Sequence, residues 1–287
     1  MATDIKLFDS KEENSWCPGC GNFGILNALK KSLAELDLLP HEVMIVSGIG
    51  QAAKTPHFIN TNGFNGLHGR ALPPALGAKI ANKDLKVIVT SGDGDTYGEG
   101  GNHILHNVRR NLDITHLVHD NQIYGLTKGQ ASPTTAEGQV TSMQFDGVRT
   151  EAFNPLSFAI TIGATFVARC FSADQKHLSY VIKEGIKHKG YALIDILQPC
   201  VTFNKVNTYK WYRDRAYYLD DSYDIANKMK AYEKSLEWGD EGIPLGILYR
   251  EEKPTFIDRI PHLREGEALV KRQWKPTDAE RFLDEFR

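Results

Sequence analysis

Short β-branched runs recur along this chain: VMIVS at 43–47, KVIVTS at 86–91, ITHLVH at 114–119, TFVAR at 165–169 and ALIDIL at 192–197. Runs this apolar suit a sheet covered on both faces, and parallel strands need crossovers long enough to hold a helix. The intervening segments 22–37 (NFGILNALKKSLAELD), about 98–111 and 173–189 (ADQKHLSYVIKEGIKHK) carry apolar residues at helical spacing with charged outer faces. The pattern predicts an α/β fold, doubly wound, over residues 1–200. From about 201 the text turns polar and aromatic (FNKVNTYKWYRDRAYYLDD), with a helical stretch near 222–237 and a proline-containing tail without strand signals. Residues 201–287 are therefore expected to form an extension that packs on the α/β domain or on a partner.

Charge narrows the partners. With 34 Lys+Arg against 36 Asp+Glu the formal charge is -2, so no long-range field marks a binder of nucleic acid or of an anionic membrane. The polar start, MATDIKLFDSKEENSW, lacks the apolar core of a signal peptide, and no segment approaches the roughly 20 apolar residues that span a bilayer. A cytoplasmic location is the expectation. Four cysteines are too few for a disulfide scaffold in a chain of 287 residues, which points Cys17 and Cys20, a C-x-x-C pair, toward metal or redox work.

The turns after the strands are more telling than the strands. GIGQ follows the first, GDGD the second, DNQIYG the third and QPC the last. These turns would gather where the carboxyl ends of parallel strands meet, the usual place for a ligand in an open α/β sheet. Asp93 at one strand end and Asn121 at the next can share a hard cation, because magnesium takes oxygen ligands and keeps phosphate oxygens in its shell. The glycines flanking Asp93 allow close backbone approach, and the following helix presents free N–H groups to an anion such as a diphosphate. A lone Gly-Asp-Gly is ordinary turn text. Its pairing with Asn121 one βαβ unit later resembles the thiamine diphosphate motif. In that motif the main-chain carbonyl of Ile123 also binds the metal, and Gly94, Asp95, Gly125 and Leu126 line the diphosphate.

Further segments extend the likeness: WCPGCGNFGI at 16–25, SGIG at 47–50, GFNGLHGRALPPALG at 63–77, RRN at 109–111, DNQIYGLTKGQASPT at 120–134, GATFVAR at 163–169 and LQPC at 197–200. From about 12 to 215 the chain resembles the β subunit of the 2-oxoacid:ferredoxin oxidoreductases. The resemblance implies that Gly48, Ile49, Gly50, Gln51, Gly66, Leu67, His68 and Gly69 also touch the cofactor. It implies a CoA-dependent oxidative decarboxylation of a 2-oxoacid, pyruvate or 2-oxoglutarate, with ferredoxin as electron acceptor. The carboxylate that activates thiamine would come from another polypeptide, an α subunit, since no second domain precedes the metal motif. Protein supplies binding and orientation while the cofactor carries the chemistry.

Spacing alone leaves Cys17 and Cys20 open as a thiol pair, half a zinc site or two ligands of an iron-sulfur cluster. The resemblance implies a [4Fe-4S] cluster on Cys17, Cys20 and Cys200. Many relatives carry a further cysteine directly after Gly-Ile-Gly, where this chain has Gln51. Three resolutions follow: a non-cysteine ligand, recruitment of Cys170, or an incomplete or labile cluster. Lys54, Arg70 and Lys128 are candidates to hold a substrate carboxylate, although a solvated surface charge is the more ordinary reading of each. A non-oxidative thiamine-dependent decarboxylase or synthase subunit, a thiol or zinc module, and a scaffolding subunit are the rival readings.

Overall fold

The computed structural model describes residues 3–273 and 275–287. Eight strands form one sheet: β1 (Val43–Ser47), β2 (Asn62–Asn65), β3 (Lys86–Gly92), β4 (Ile114–Asp120), β5 (Phe166–Phe171), β6 (Tyr191–Leu197), β7 (Ala216–Tyr218) and β8 (Ile243–Arg250). Their order is β2-β1-β3-β4-β6-β5-β8-β7, and every pair is parallel except β5 with β8. The helices are α1 (Gly21–Glu35), α2 (Leu72–Ala81), α3 (Gly101–Arg110), α4 (Pro155–Thr161), α5 (Gln175–Lys187), α6 (Tyr209–Arg213) and α7 (Lys228–Leu236). Among the described residues no helix is long and apolar enough to cross a membrane.

Alternation along the buried strands feeds two cores. Ile88, Leu117, Ile194 and Ile196 point toward α1 and α5, while Val87, Val89, Val118 and Leu193 point toward α2, α3, α4 and α7. This is the doubly wound arrangement that the β-branched runs predict. Helices α1 and α5 approach closely through small residues: Ser32 Oγ lies 3.0 Å from the Ser179 carbonyl, and Ser179 Oγ lies 3.4 Å from that of Ala28. A third core, of Phe171, Leu197, Tyr212, Ile243 and Leu245, fastens α6 to the far side of the sheet.

The segment after residue 200 departs from expectation. The tail does contain strands, since β8 pairs antiparallel with β5 and parallel with β7. Pro244 and Gly246 hide it, because both read as breakers in a strand interior. Here the irregularity they signal is real: Gly246 has φ +139°, and the β5–β8 register shifts between Val167 and Ala168. The chain leaves β1 for β2 on one side and for β3 on the other, so a crevice opens at the carboxyl ends of the central strands.

Ile194 is fully buried on β6 beneath Gly185 of α5, where its Cδ1 would come within 2.7 Å of any Cβ on that glycine. Ile194→Ala is expected to lose about 2–5 kcal/mol of stability, read from the shift in the urea midpoint. A loss within about 0.5 kcal/mol would contradict this packing.

Candidate functional site

Asp93 follows β3 directly and is 1% exposed. Burial raises its carboxyl above the usual range. The Thr134 hydroxyl lies 2.8 Å from Asp93 Oδ2 and 2.8 Å from Asp120 Oδ1, the last residue of β4. One hydroxyl has one proton to give. Thr134 therefore links the two acids, and its one proton suffices for the pair when one of them is protonated. Asp120 is held well above the ordinary range by burial and by the neighbouring charges of Asp195 and Asp93. On the side away from Thr134, Asp93 faces a cleft that it lines together with Ile49, Gly50, Gln51, His68, Gly94, Asp95, Asn121, Ile123, Gly125 and Leu126.

Asn121, just after the neighbouring strand β4, lines the same cleft. Its Oδ1 accepts the Ile123 N–H at 3.0 Å, and its Nδ2 points to Gln198 Oε1 at 3.4 Å. The Tyr124 ring lies flat against the turn after β3, so close that a Cβ on Gly94 would come within 2.2 Å of it, and its hydroxyl donates to the Gly94 carbonyl. By contrast, a Cβ on Gly50 would meet nothing within 4 Å. The backbone there faces open space, as a cradle for an anion requires.

Asp95 also braces the turns around the cleft that it lines. Its Oδ1 accepts the backbone N–H of Gly69 at 2.6 Å and of Ile49 at 3.2 Å, which ties the turn after β3 to the turns after β1 and β2. His68 Nδ1 stands 3.5 Å from the same oxygen, too far for a good hydrogen bond. Gly48 leaves room for this carboxylate, since a Cβ there would sit 2.2 Å from Asp95 Oδ2. Thus Gly48 and Gly69 support the cleft from behind, and Gly66 and Leu67 lie on its margin outside the lining residues.

The three cysteines of the sequence reading approach one another. Cys17 and Cys200 each push the Cys20 thiol up electrostatically, adding to the larger effect of burial, and its pKa reaches about 11. Gln198 Nε2 donates to Cys20 Sγ at 3.2 Å, and the Phe203 N–H donates to Cys200 Sγ at 3.4 Å. Gly21 permits the contact, because a Cβ there would strike Gln198. All four cysteines are free. Cys170 is different: it is fully buried on β5 in the core beneath α1 and α5, which removes it as a recruit for the cluster. Among the described residues no three His, Cys, Asp or Glu side chains form a group able to hold a single ion.

None of the candidate substrate cations lines the cleft. Lys54 donates to Ser15, Arg70 to the His68 and Glu99 carbonyls, and Lys128 is exposed. Sequence reasoning missed Thr134 and Gln198, polar residues in loops whose roles depend on what the fold brings beside them. It also missed a buried group around Arg169, whose guanidinium lies 3.9 Å from Asp195 and over the Trp238 ring. Asp195, raised to about 6 by burial, accepts from the Tyr97 hydroxyl. Nothing in the runs TFVAR and ALIDIL marks this pair beyond a charge in an apolar strand.

Residues 43–196 match the family model described as thiamine pyrophosphate enzyme, C-terminal TPP binding domain, and residues 200–265 match the model for the C-terminal part of the pyruvate ferredoxin oxidoreductase beta chain. The chain is 49% identical over 261 residues to the 2-oxoacid:ferredoxin oxidoreductase subunit beta of Sulfolobus sp, covering 86% of this chain and 85% of that one. Its identity to the corresponding subunit of Saccharolobus solfataricus is 46%, over 96% and 97% of the two chains. The solved 2-oxoglutarate:ferredoxin oxidoreductase from Magnetococcus marinus, with 2-oxoglutarate, coenzyme A and succinyl-CoA bound, superimposes with a TM-score of 0.91 at 35% identity, over 98% of this chain and 96% of that one.

Two outcomes test the geometry. Gly48→Ala should force Asp95 off its backbone donors, a loss of about 1–3 kcal/mol per unpaired buried group, seen as a lowered melting temperature with unchanged far-UV circular dichroism. In the metal-free chain iodoacetamide should label exposed Cys17 first and Cys20 only as the pH nears about 11. Equal labelling of both at neutral pH, followed by peptide mass spectrometry, would contradict the buried thiol.

Proposed function

The chain belongs to the β subunits of the 2-oxoacid:ferredoxin oxidoreductases, and on that footing we propose that it binds thiamine diphosphate through Mg2+ and carries an iron-sulfur cluster on Cys17, Cys20 and Cys200. The observation that carries the reading is the lining of one cleft by both Asp93 and Asn121. Burial raises the Asp93 carboxyl although Thr134 donates to it, and a carboxylate taken out of water calls for a cation in front of it. The donors on offer are a carboxylate, an amide oxygen and the Ile123 carbonyl, all hard oxygens that suit magnesium, with the rest of its shell left to phosphate. One acidic side chain is enough for such a site, so it need not register as a cluster of acids.

In this reading the turns at 48–51 and 66–69, locked together by Asp95, shape the cleft, and Gly94, Asp95, Gly125 and Leu126 border the diphosphate. Thiamine diphosphate, when bound, supplies the electron sink that lets a 2-oxoacid lose carbon dioxide. The carboxylate that activates thiamine comes, in this reading, with an α subunit. The acyl acceptor is coenzyme A and the electron acceptor is ferredoxin. The substrate is pyruvate or 2-oxoglutarate. The hydrogen bonds to Cys20 and Cys200 sulfur support their use as cluster thiolates, because such donors stabilise charge on sulfur and tune the potential.

The complex with its α partner should reduce a viologen when given a 2-oxoacid and coenzyme A, and the chain alone should not. A colourless complex without iron and acid-labile sulfide would favour the non-oxidative rival. Asp93→Asn should abolish the stabilisation by magnesium and thiamine diphosphate, about 2.7 kcal/mol in wild type at a hundredfold excess over Kd. Without ligand the sign reverses. Because the Asp93 pKa is raised in the folded state, its ionisation disfavours folding at neutral pH. The variant should then be as stable as wild type or more so at pH 7, with the gap closing as the pH falls and Asp93 protonates; calorimetry across pH measures both.

A further inference from the structure

Gln198 stands between the cofactor cleft and the cysteines. It follows β6 directly, is 2% exposed, and is held by its backbone N–H, which donates to the Asp120 carbonyl at 2.8 Å. Its Nε2 donates to Cys20 Sγ at 3.2 Å, and its Oε1 takes a long hydrogen bond from Asn121 Nδ2 at 3.4 Å. Gly21 makes the room, because a Cβ there would sit 2.6 Å from Gln198 Cγ. A single amide therefore touches a cleft residue at one end and a cysteine at the other.

A backbone group sets the direction of this chain. The Ile123 N–H can only donate, so it takes Asn121 Oδ1 at 3.0 Å and turns Nδ2 toward Gln198. That Nδ2 can also only donate, so it takes Gln198 Oε1 and leaves Nε2 to face the sulfur. Flipping either amide would set donor against donor. Asn121 Oδ1 keeps a second lone pair for a cation in the cleft.

We propose that Gln198 is a positioning residue that couples the metal site to the cluster: a cation on Asn121 Oδ1 strengthens the hydrogen bond from Gln198 to Cys20 and so raises the reduction potential. This rests on the Mg2+ site and the cluster proposed above and adds the link between them. A cation drawing on Oδ1 polarises the Asn121 amide, which makes Nδ2–H a stronger donor, and the Gln198 amide passes the effect on to its own Nε2–H. A donor on thiolate sulfur favours the more negative, reduced state of a cluster. The charges of magnesium, diphosphate and thiazolium nearly cancel, so their combined field does not impose the opposite sign. Linkage makes the coupling reciprocal, and reduction tightens the binding of Mg2+ and thiamine diphosphate by the same factor.

The test uses the two-subunit complex purified without oxygen, as wild type and as Gln198→Met, which keeps the side-chain volume and removes both hydrogen bonds. Circular dichroism and melting check the fold, iron and acid-labile sulfide are measured, and calorimetry gives the affinity for Mg2+ with thiamine diphosphate. Redox titration followed by electron paramagnetic resonance then reads the cluster potential with and without that cofactor pair. Wild type should move to a higher potential on binding it. Gln198→Met should start lower, show no such shift, and bind Mg2+ about tenfold more weakly. A residue that only fills space would leave the potential unmoved. If the wild-type potential ignores the cofactor in a complex that holds iron and binds thiamine diphosphate, the bridge is overturned while both sites stand, and that measurement needs no variant. A Gln198→Met complex that shifts as wild type does overturns it equally. If wild type lacks iron after reconstitution, or does not bind the cofactor pair, the underlying site falls and the bridge with it.

Discussion

The site is organised around one shared proton. Thr134 stands between two carboxylates that are both out of water, and its hydroxyl satisfies both only if one of them keeps a proton. Burial raises both carboxyls, and Asp120 is pushed further by the negative charges of Asp195 and Asp93, which Arg169 answers in part. A desolvated anion is stable in a folded chain when a cation or several donors face it. The turns after β1 and β4 line the same cleft as Asp93.

The sheet supplies the placement. Parallel strands all end at the same edge, so turns remote in sequence meet without any dedicated contact between them. Rigidity then comes from single side chains that link turns: Asp95 holds two backbone amides, Tyr124 covers Gly94, and Trp16 fixes the turn at Gln51. Each is a polar or aromatic group anchored on buried structure, which is how a site on loops acquires the precision of a site on strands.

Much of this was legible in the sequence, for physical reasons. Strands β1, β3, β4, β5 and β6 show as β-branched runs because they are buried in the two cores, and the turns that follow β1, β3 and β4 line one cleft. Strand β2, Asn62–Asn65, was illegible because all of it is exposed and it has no apolar alternation. Strand β8 was hidden by Pro244 and Gly246, and α2 by the prolines of its first turn, Pro73 and Pro74, which start a helix there instead of ending one. Arg169, Asp195 and Thr134 acquire their roles only through neighbours that folding brings together, and no local pattern encodes such meetings.

The hydrogen bond from Gln198 to Cys20 joins residues 178 positions apart. A link of that span cannot form early, because the intervening loop must first be closed by the strands between them. The thiols near the amino terminus leave the ribosome before β1 exists, and wait reduced and unshielded until β6 has joined the sheet. Biogenesis of this chain therefore has a built-in order in which the surroundings of Cys20 are completed only after β6 has joined the sheet.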